Sequence, residues 1–190
     1  MLKKYFSKLI ECGTDEAGRG CLAGPVTAAA VIFPKDYYNP DLNDSKKISK
    51  NKRKILSEEI IQNSIDYSIC HVPVKTIDKI NIFNASILAM NRAIKNLKVI
   101  PELILVDGKF FKNSLKIPHQ CFIKGDSTYL SIAAASILAK TSRDNYMISL
   151  SEKFPDYNWQ KNKGYPTKEH KNAIKSNGIT IHHRKSFKMD

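Results

Sequence analysis

Residues 102–108 read Glu-Leu-Ile-Leu-Val-Asp-Gly, an apolar run that stops abruptly at Asp107-Gly108. Consecutive apolar residues with no polar alternation suit a strand covered on both faces. Such a strand needs helices on either side of a sheet, which confines the chain to layered α/β architectures. The other segments supply those layers. Residues 10–17 and 25–33 read as two strands paired through a turn at Gly18–Gly24. Residues 64–72 and 120–123 read as two more, making five with the strand at 102–106. Ser49 is suited to cap a helix over 50–62, and Asn81 a helix reaching Leu97. In the second, Phe83, Ile87, Met90, Ile94 and Leu97 recur at helical spacing. Asp126 or Ser127 is expected to cap a long helix ending near Lys153, whose Ala133-Ala134-Ala135-Ser136 patch can lie close against a sheet. A short helix over 167–176 ends at Asn177-Gly178. The strand at 102–106 is expected beside the first strand and parallel to it, reached by a helical crossover. The reading is one α/β domain, 1–190, with a mixed sheet and a small C-terminal helical extension over about 154–190.

With 190 residues the chain is long enough to bury roughly 70% of its unfolded surface, so it needs no disulfide or structural metal to fold. Cys12, Cys21, Cys70 and Cys121 form no C-x-x-C pair and read as free thiols. There is no run of 18 apolar residues and no signal-peptide stretch. A cytoplasmic protein off the membrane is expected, by default a monomer with no evident protein partner. Lys and Arg number 31 against 18 Asp and Glu, a net charge of +13 that points to an anionic partner. Of those 31, however, 26 are Lys, and Ile (23) and Asn (14) are also abundant. All three have A/T-rich codons, so charge alone does not separate function from codon drift. Lys46, Lys47, Lys50, Lys52, Arg53 and Lys54 put six positive charges in nine residues. His170, His182 and His183 read as residues of a basic tail.

Four carboxylates stand at unusual places. Asp15 and Glu16 lie at the end of the first strand, Asp107 ends the buried strand, and Asp126 starts the long helix. In open α/β sheets, ligands gather beyond the carboxyl ends of the strands. Asp15 and Asp107 on adjacent parallel strands would converge there, with Asp126 closing a third side. Taken singly, Asp107 could be a turn residue and Asp126 a helix cap. Strand alternation would also point Asp15 and Glu16 to opposite faces unless the strand ends there. Taken together, the carboxylates would repel one another, and a bound divalent cation resolves that conflict. All-oxygen donors favour Mg²⁺ or Mn²⁺, and two such ions can clamp an in-line phosphoryl displacement.

The intervening loop, Gly18-Arg19-Gly20-Cys21-Leu22-Ala23-Gly24, is neither a dinucleotide fingerprint nor a P-loop. A nucleotide-using kinase or ATPase is therefore disfavoured. Its glycines would instead allow a ligand to approach the backbone.

D-E-A-G-R-G at 15–20 followed by L-A-G-P-V at 22–26 resembles the signature of the type 2 ribonucleases H. Further matches follow in order: N-D-S-K-K at 43–47, L-V-D-G at 105–108, K-G-D at 124–126 and S-I-A-A-A-S-I-L-A-K at 131–140. R-D at 143–144, K-G-Y-P-T at 163–167 with His170, and H-R-K-S-F at 183–187 complete the set. The resemblance spans nearly the whole chain. Its length and the Arg in G-R-G look like the bacterial ribonuclease HII branch rather than ribonuclease HIII, which carries an extra N-terminal domain.

The resemblance implies an RNase H-like fold, a mixed five-stranded sheet flanked by helices. It implies cleavage of RNA in RNA/DNA hybrids and incision 5′ to a single ribonucleotide in duplex DNA, leaving 3′-hydroxyl and 5′-phosphate ends. Asp15, Glu16, Asp107 and Asp126 would be the catalytic metal ligands, for Mn²⁺ or Mg²⁺, with two ions in the substrate complex. Gly18, Arg19 and Gly20 would reach the 2′-hydroxyl, and Tyr165 would pack under the deoxyribose that follows. Lys46 and Lys47 would contact phosphate. One departure is Cys21, where the family usually has Pro. Two alternatives remain: a hybrid nuclease like ribonuclease HIII, and a nucleic-acid-binding module without catalysis.

Overall fold

A computed structural model describes residues 1–42 and 48–189. Its elements are β1 (Glu11–Ala17), β2 (Val26–Ile32), α1 (Lys50–Asn63), β3 (Asp66–Val72), α2 (Val74–Lys95), β4 (Leu103–Asp107), β5 (His119–Phe122), α3 (Leu130–Lys153), α4 (Trp159–Asn162) and α5 (Lys168–Asn177). The five strands form one sheet in the order β3-β2-β1-β4-β5. β2 runs antiparallel to β1 and β3, whereas β4 runs parallel to β1 and β5. The hairpin, the parallel pair and the crossover agree with the sequence patterns.

Helices cover both faces. Val26, Ala28, Ala30 and Ile32 of β2 join Cys12, Ile104 and Val106 against α2. Ala29 and Val31 point the other way, toward Leu56 and Ile60 of α1 and the Ala134-Ala135 patch of α3. The apolar run in β4 thus has one face in each layer, which is why it shows no alternation. Gly13 explains how closely α3 approaches. A Cβ there would lie 2.2 Å from the backbone carbon of Ser131, so helix and strand touch main chain to main chain. That contact holds the first turns of α3 over the end of β1, where the carboxylates lie.

Two helix starts differ from expectation. α2 begins at Val74, seven residues before Asn81. Asn81 does cap, but inside the run: at φ 63° it breaks the helix, and its Oδ1 accepts the N–H of Asn84 to restart it. Asp126 does not cap the long helix. It lies in a 3-10 turn, Gly125–Ser127, set up by left-handed Lys124, and α3 starts at Leu130 without a side-chain cap. The turn spends three residues aiming Asp126 before the helix begins.

The C-terminal segment is built into the Gly18–Gly24 loop. Leu22 and Ala23 share a core with Met147, Leu150, Tyr157, Trp159 and Ile174. The Leu22 carbonyl accepts the Arg184 N–H (2.8 Å), and the Gly24 N–H donates to the His182 carbonyl (2.9 Å). Among the described residues, no helix is long and apolar enough to cross a membrane.

Candidate active site

The register places Thr14 opposite Val106, so the next residues, Asp15 and Asp107, stand level on adjacent parallel strands. Both line a cavity of about 350 Å³, together with Glu16, Ser136, Lys140, Tyr165 and the loop at 18–20. Asp15 is buried and shares the cavity wall with Ser136 of α3. Burial first, then the charges of Glu16 and Asp107, push its carboxyl well above the usual range. Glu16 follows on the same strand and reaches the cavity because β1 ends one residue later. It also borders a second cavity on the α2 side. Burial raises its pKa, the Arg19 guanidinium at 3.2 Å opposes the rise, and Asp107 adds to it. Three carboxylates therefore share a small volume at an electrostatic cost.

Asp126 is buried behind this group and is not in the cavity wall. Its neighbour Gly125 donates its N–H to Asp107 Oδ1 at 2.7 Å, tying the turn to the end of β4. Among the described residues, no three His, Cys, Asp or Glu side chains stand close enough together to hold a metal ion. The donors are nonetheless of the right kind for a hard cation, all carboxylate oxygen, and the crowding around Asp15 is what a cation would relieve. Lys46 and Lys47 lie outside the described residues.

The cavity rim is the Gly18–Gly24 loop, held from behind by two buried arginines. Arg143 of α3 donates to the carbonyls of Pro25, Ala23 and Lys163, each at 2.9 Å. Arg184 donates to the carbonyls of Gly24, Arg19 and Pro25 at 2.9–3.0 Å. Neither is solvent-exposed, and among the described residues neither forms an ion pair. Asp144, next to Arg143 in the chain, pairs with Lys140 and Arg53. Burial, followed by the charge of Arg143, lowers Arg184 to about 10, still charged at neutral pH. The two guanidinia turn the loop's carbonyls inward.

The loop's glycines divide by cause. Gly18 has φ +92°, and a Cβ there would lie 2.0 Å from Arg143 Nε, so the fold itself demands glycine. At Gly20, φ is ordinary and a Cβ would meet nothing within 4 Å. Internal packing does not require glycine there, and its backbone stands open to the cavity. Cys21, beside it, is fully buried. Burial pushes its thiol and the Tyr165 hydroxyl up.

Tyr165 stands across the cavity, about a third exposed, with Lys140 Nζ 5.6 Å and Arg143 Cζ 5.9 Å from its ring centre. Its backbone is anchored through two histidines that are buried, not tail residues as the sequence suggested. His170 Nδ1 lies 2.9 Å from the Tyr165 carbonyl, which only accepts, so Nδ1 carries the proton. His170 Nε2 is then bare and accepts from Trp159 Nε1–H at 2.9 Å. His183 Nδ1 accepts the Thr180 N–H, leaving its Nε2–H to donate to His170 Nε2 at 3.2 Å. Both rings are neutral in this chain. Burial, then the charges of His170 and His182, lower His183 to about 4. Sequence reasoning missed the site roles of Arg143, Arg184, His170 and His183. Their positions inside R-D, H-R-K-S-F and after K-G-Y-P-T were the available signal.

The ribonuclease HII family model matches residues 12–190. The chain belongs to the ribonuclease HII family. It is accordingly a type 2 ribonuclease H, an endonuclease, with the RNase H-like fold. A ribonuclease HII from Christiangramia forsetii is 60% identical over 189 residues, covering 100% of this chain and 96% of that protein. The ribonuclease HII in a PCNA:RNase HII complex from Archaeoglobus fulgidus has a TM-score of 0.79 at 27% identity, covering 95% of this chain and 96% of that one. Bst-RNase HIII in complex with Mn²⁺ shares the fold, with a TM-score of 0.75 at 19% identity, over 96% of this chain and 68% of that one. Membership in the HII branch disfavours the ribonuclease HIII-like alternative, and an enzyme family disfavours the silent binding module.

Proposed function

We propose that this chain hydrolyses the RNA strand of RNA/DNA hybrids and incises duplex DNA 5′ to a single embedded ribonucleotide, with 3′-hydroxyl and 5′-phosphate products. The observation that carries the reading is one cavity with Asp15, Glu16 and Asp107 on its floor and Gly20 and Tyr165 on its rim. Acids on the floor suit phosphoryl chemistry, and an open glycine beside an aromatic ring suits recognition of a sugar.

Asp15, Glu16, Asp107 and Asp126 would hold a divalent cation, Mg²⁺ or Mn²⁺. When bound, it supplies charge for the scissile phosphate and activates water. The Mn²⁺ of the Bst-RNase HIII structure supports divalent-metal dependence. The chain's own groups position the substrate. Ser136 stands beside Asp15 in the cavity wall and offers it a hydroxyl donor. Arg19 balances Glu16 at the rim and offers a cation to phosphate. Gly20 leaves room for a 2′-hydroxyl to reach the backbone, the group that separates RNA from DNA. Tyr165, flanked by Lys140 and Arg143, packs under the deoxyribose on the 3′ side. Residues 154–190 contribute by fixing Tyr165, and Lys46 and Lys47 would contact backbone phosphate. The +13 charge then serves a duplex polyanion.

The test is a duplex carrying one ribonucleotide, incubated with Mg²⁺ or Mn²⁺. A nick immediately 5′ of the ribonucleotide is expected, and none should form without divalent metal. Absence of that nick at every metal concentration overturns the reading.

A further inference from the structure

A second cavity, about 320 Å³, lies beside the first and shares Glu16, Arg19 and Asp107 as a common wall. Its far side is a pair of phenylalanines, Phe83 of α2 and Phe110 from the loop after β4. Their rings stack at 5.8 Å and 27°, yet they are 44% and 58% exposed. Two exposed rings stacked in water at the edge of a charged site are unusual unless something covers them.

The backbone at each ring is specially shaped. Asn81 restarts α2 so that Phe83 falls in the first turn of the new segment. Gly108, at φ +122°, turns the chain immediately after Asp107 and brings Lys109 and Phe110 back over α2. A Cβ on Gly108 would meet nothing within 4 Å, so the turn rather than crowding demands glycine. Arg19 and the exposed Lys109 put two cations on the cavity's border.

We propose that this cavity is a subsite for the nucleotide on the 5′ side of the cut. The inference rests on the reading above, in which the carboxylates face the scissile phosphate. Tyr165 lines the first cavity alone, and the phenylalanine pair lines the second alone. With Tyr165 taking the sugar 3′ of the ribonucleotide, the strand must leave past Glu16 and Asp107 on the other side. There the rings pack against the sugar edge of the preceding nucleotide, while Arg19 and Lys109 flank its phosphates. An apolar platform suits deoxyribose, which offers a methylene where ribose offers a hydroxyl.

Affinity for two duplexes tests this, read by fluorescence anisotropy at low salt with chelator, so that nothing is cut. One is intact around a single ribonucleotide, and the other lacks the one nucleotide 5′ of it. The parent chain should bind the gapped duplex more weakly. Phe83→Ala and Phe110→Ala should lose about fivefold on the intact duplex, the scale of partly burying one apolar side chain. Neither should lose more on the gapped duplex, because either change removes the same contact. Melting temperatures close to the parent's would exclude a folding defect. Equal losses on both duplexes, or none on either, overturn the subsite. Cleavage of the intact duplex by the parent with metal is read separately and tests the enzymatic reading alone.

Discussion

The carboxylate floor and the arginine frame behind it bury charge in opposite ways. On the floor, Asp15, Glu16 and Asp107 face like charges, and Asp15 is pushed toward its neutral form. In the frame, Arg143 and Arg184 are buried as deeply, but each of their six hydrogen bonds ends on a carbonyl. In the proposed reading an external cation completes the first region; the other is complete by itself. The floor is built to receive and the frame to stay still, so substitutions in each should fail differently.

The sharpest break is Asp107→Asn. Asparagine keeps an oxygen for the Gly125 N–H and removes one charge from the floor. Cleavage of the ribonucleotide-containing duplex should fall to background. Thermal stability should hold or rise, because a repulsion on Asp15 has gone. A clear loss of stability would mean that the floor is structural, like the frame.

Arg143→Met and Arg184→Met probe the opposite behaviour. Each leaves two carbonyls without a donor, since Pro25 keeps the other arginine, and unsatisfied buried groups cost about 1–3 kcal/mol apiece. Urea denaturation should show a loss of about 3–5 kcal/mol for each, the range for breaking a buried charged network. Lysine at either position restores the charge but not the fork, and should recover only part of it. A stable, inactive Arg143→Met would place Arg143 with the floor instead.

Acid should reach the frame through His183. Its native value near 4 lies below the roughly 6.5 of an unfolded histidine. As pH falls below about 6.5, the unfolded chain takes up a proton that the native chain refuses. Stability is therefore lost between pH about 6.5 and about 4, by on the order of 3 kcal/mol. A melting-temperature profile against pH should show that slope, and His183→Gln should flatten it. An unchanged slope would assign the acid sensitivity to other groups.

These two regions also differ in how far the sequence shows them. The floor was legible because its residues close strands. Asp107 ends an unbroken apolar run and Asp15 lies level with it by register, so period and topology were enough. The frame was not, because its members are scattered from Arg19 to Arg184 and meet only through main-chain carbonyls, which leave no side-chain pattern. Arg143 and Asp144 are neighbours in sequence, yet Asp144 pairs with Lys140 and Arg53 while Arg143 takes carbonyls. His170 and His183 looked like tail charge because burial by Trp159 and Tyr157 comes from tertiary packing. Asp126 was expected as a helix cap and a site residue, but it lies in a 3-10 turn outside the cavity wall, and a cap and a short turn share residue types.

The finest division between floor and frame runs through one loop, between Gly18 and Gly20. Gly18→Ala should destabilise, since both its positive φ and the Arg143 side chain at 2.0 Å exclude a methyl group. Gly20→Ala should leave the unfolding free energy within about 0.5 kcal/mol of the parent, as for a surface position with open space. Its effect should appear only with substrate: a methyl group at closest approach should raise KM for a single-ribonucleotide duplex by about tenfold, the scale of one lost hydrogen bond to the backbone. Binding of an all-DNA duplex, which has no 2′-hydroxyl to exclude, should change much less. If Gly20→Ala instead weakened both duplexes equally, or melted earlier than Gly18→Ala, Gly20 would belong to the frame, and recognition of the ribose would have to come from Tyr165 and the opposite wall.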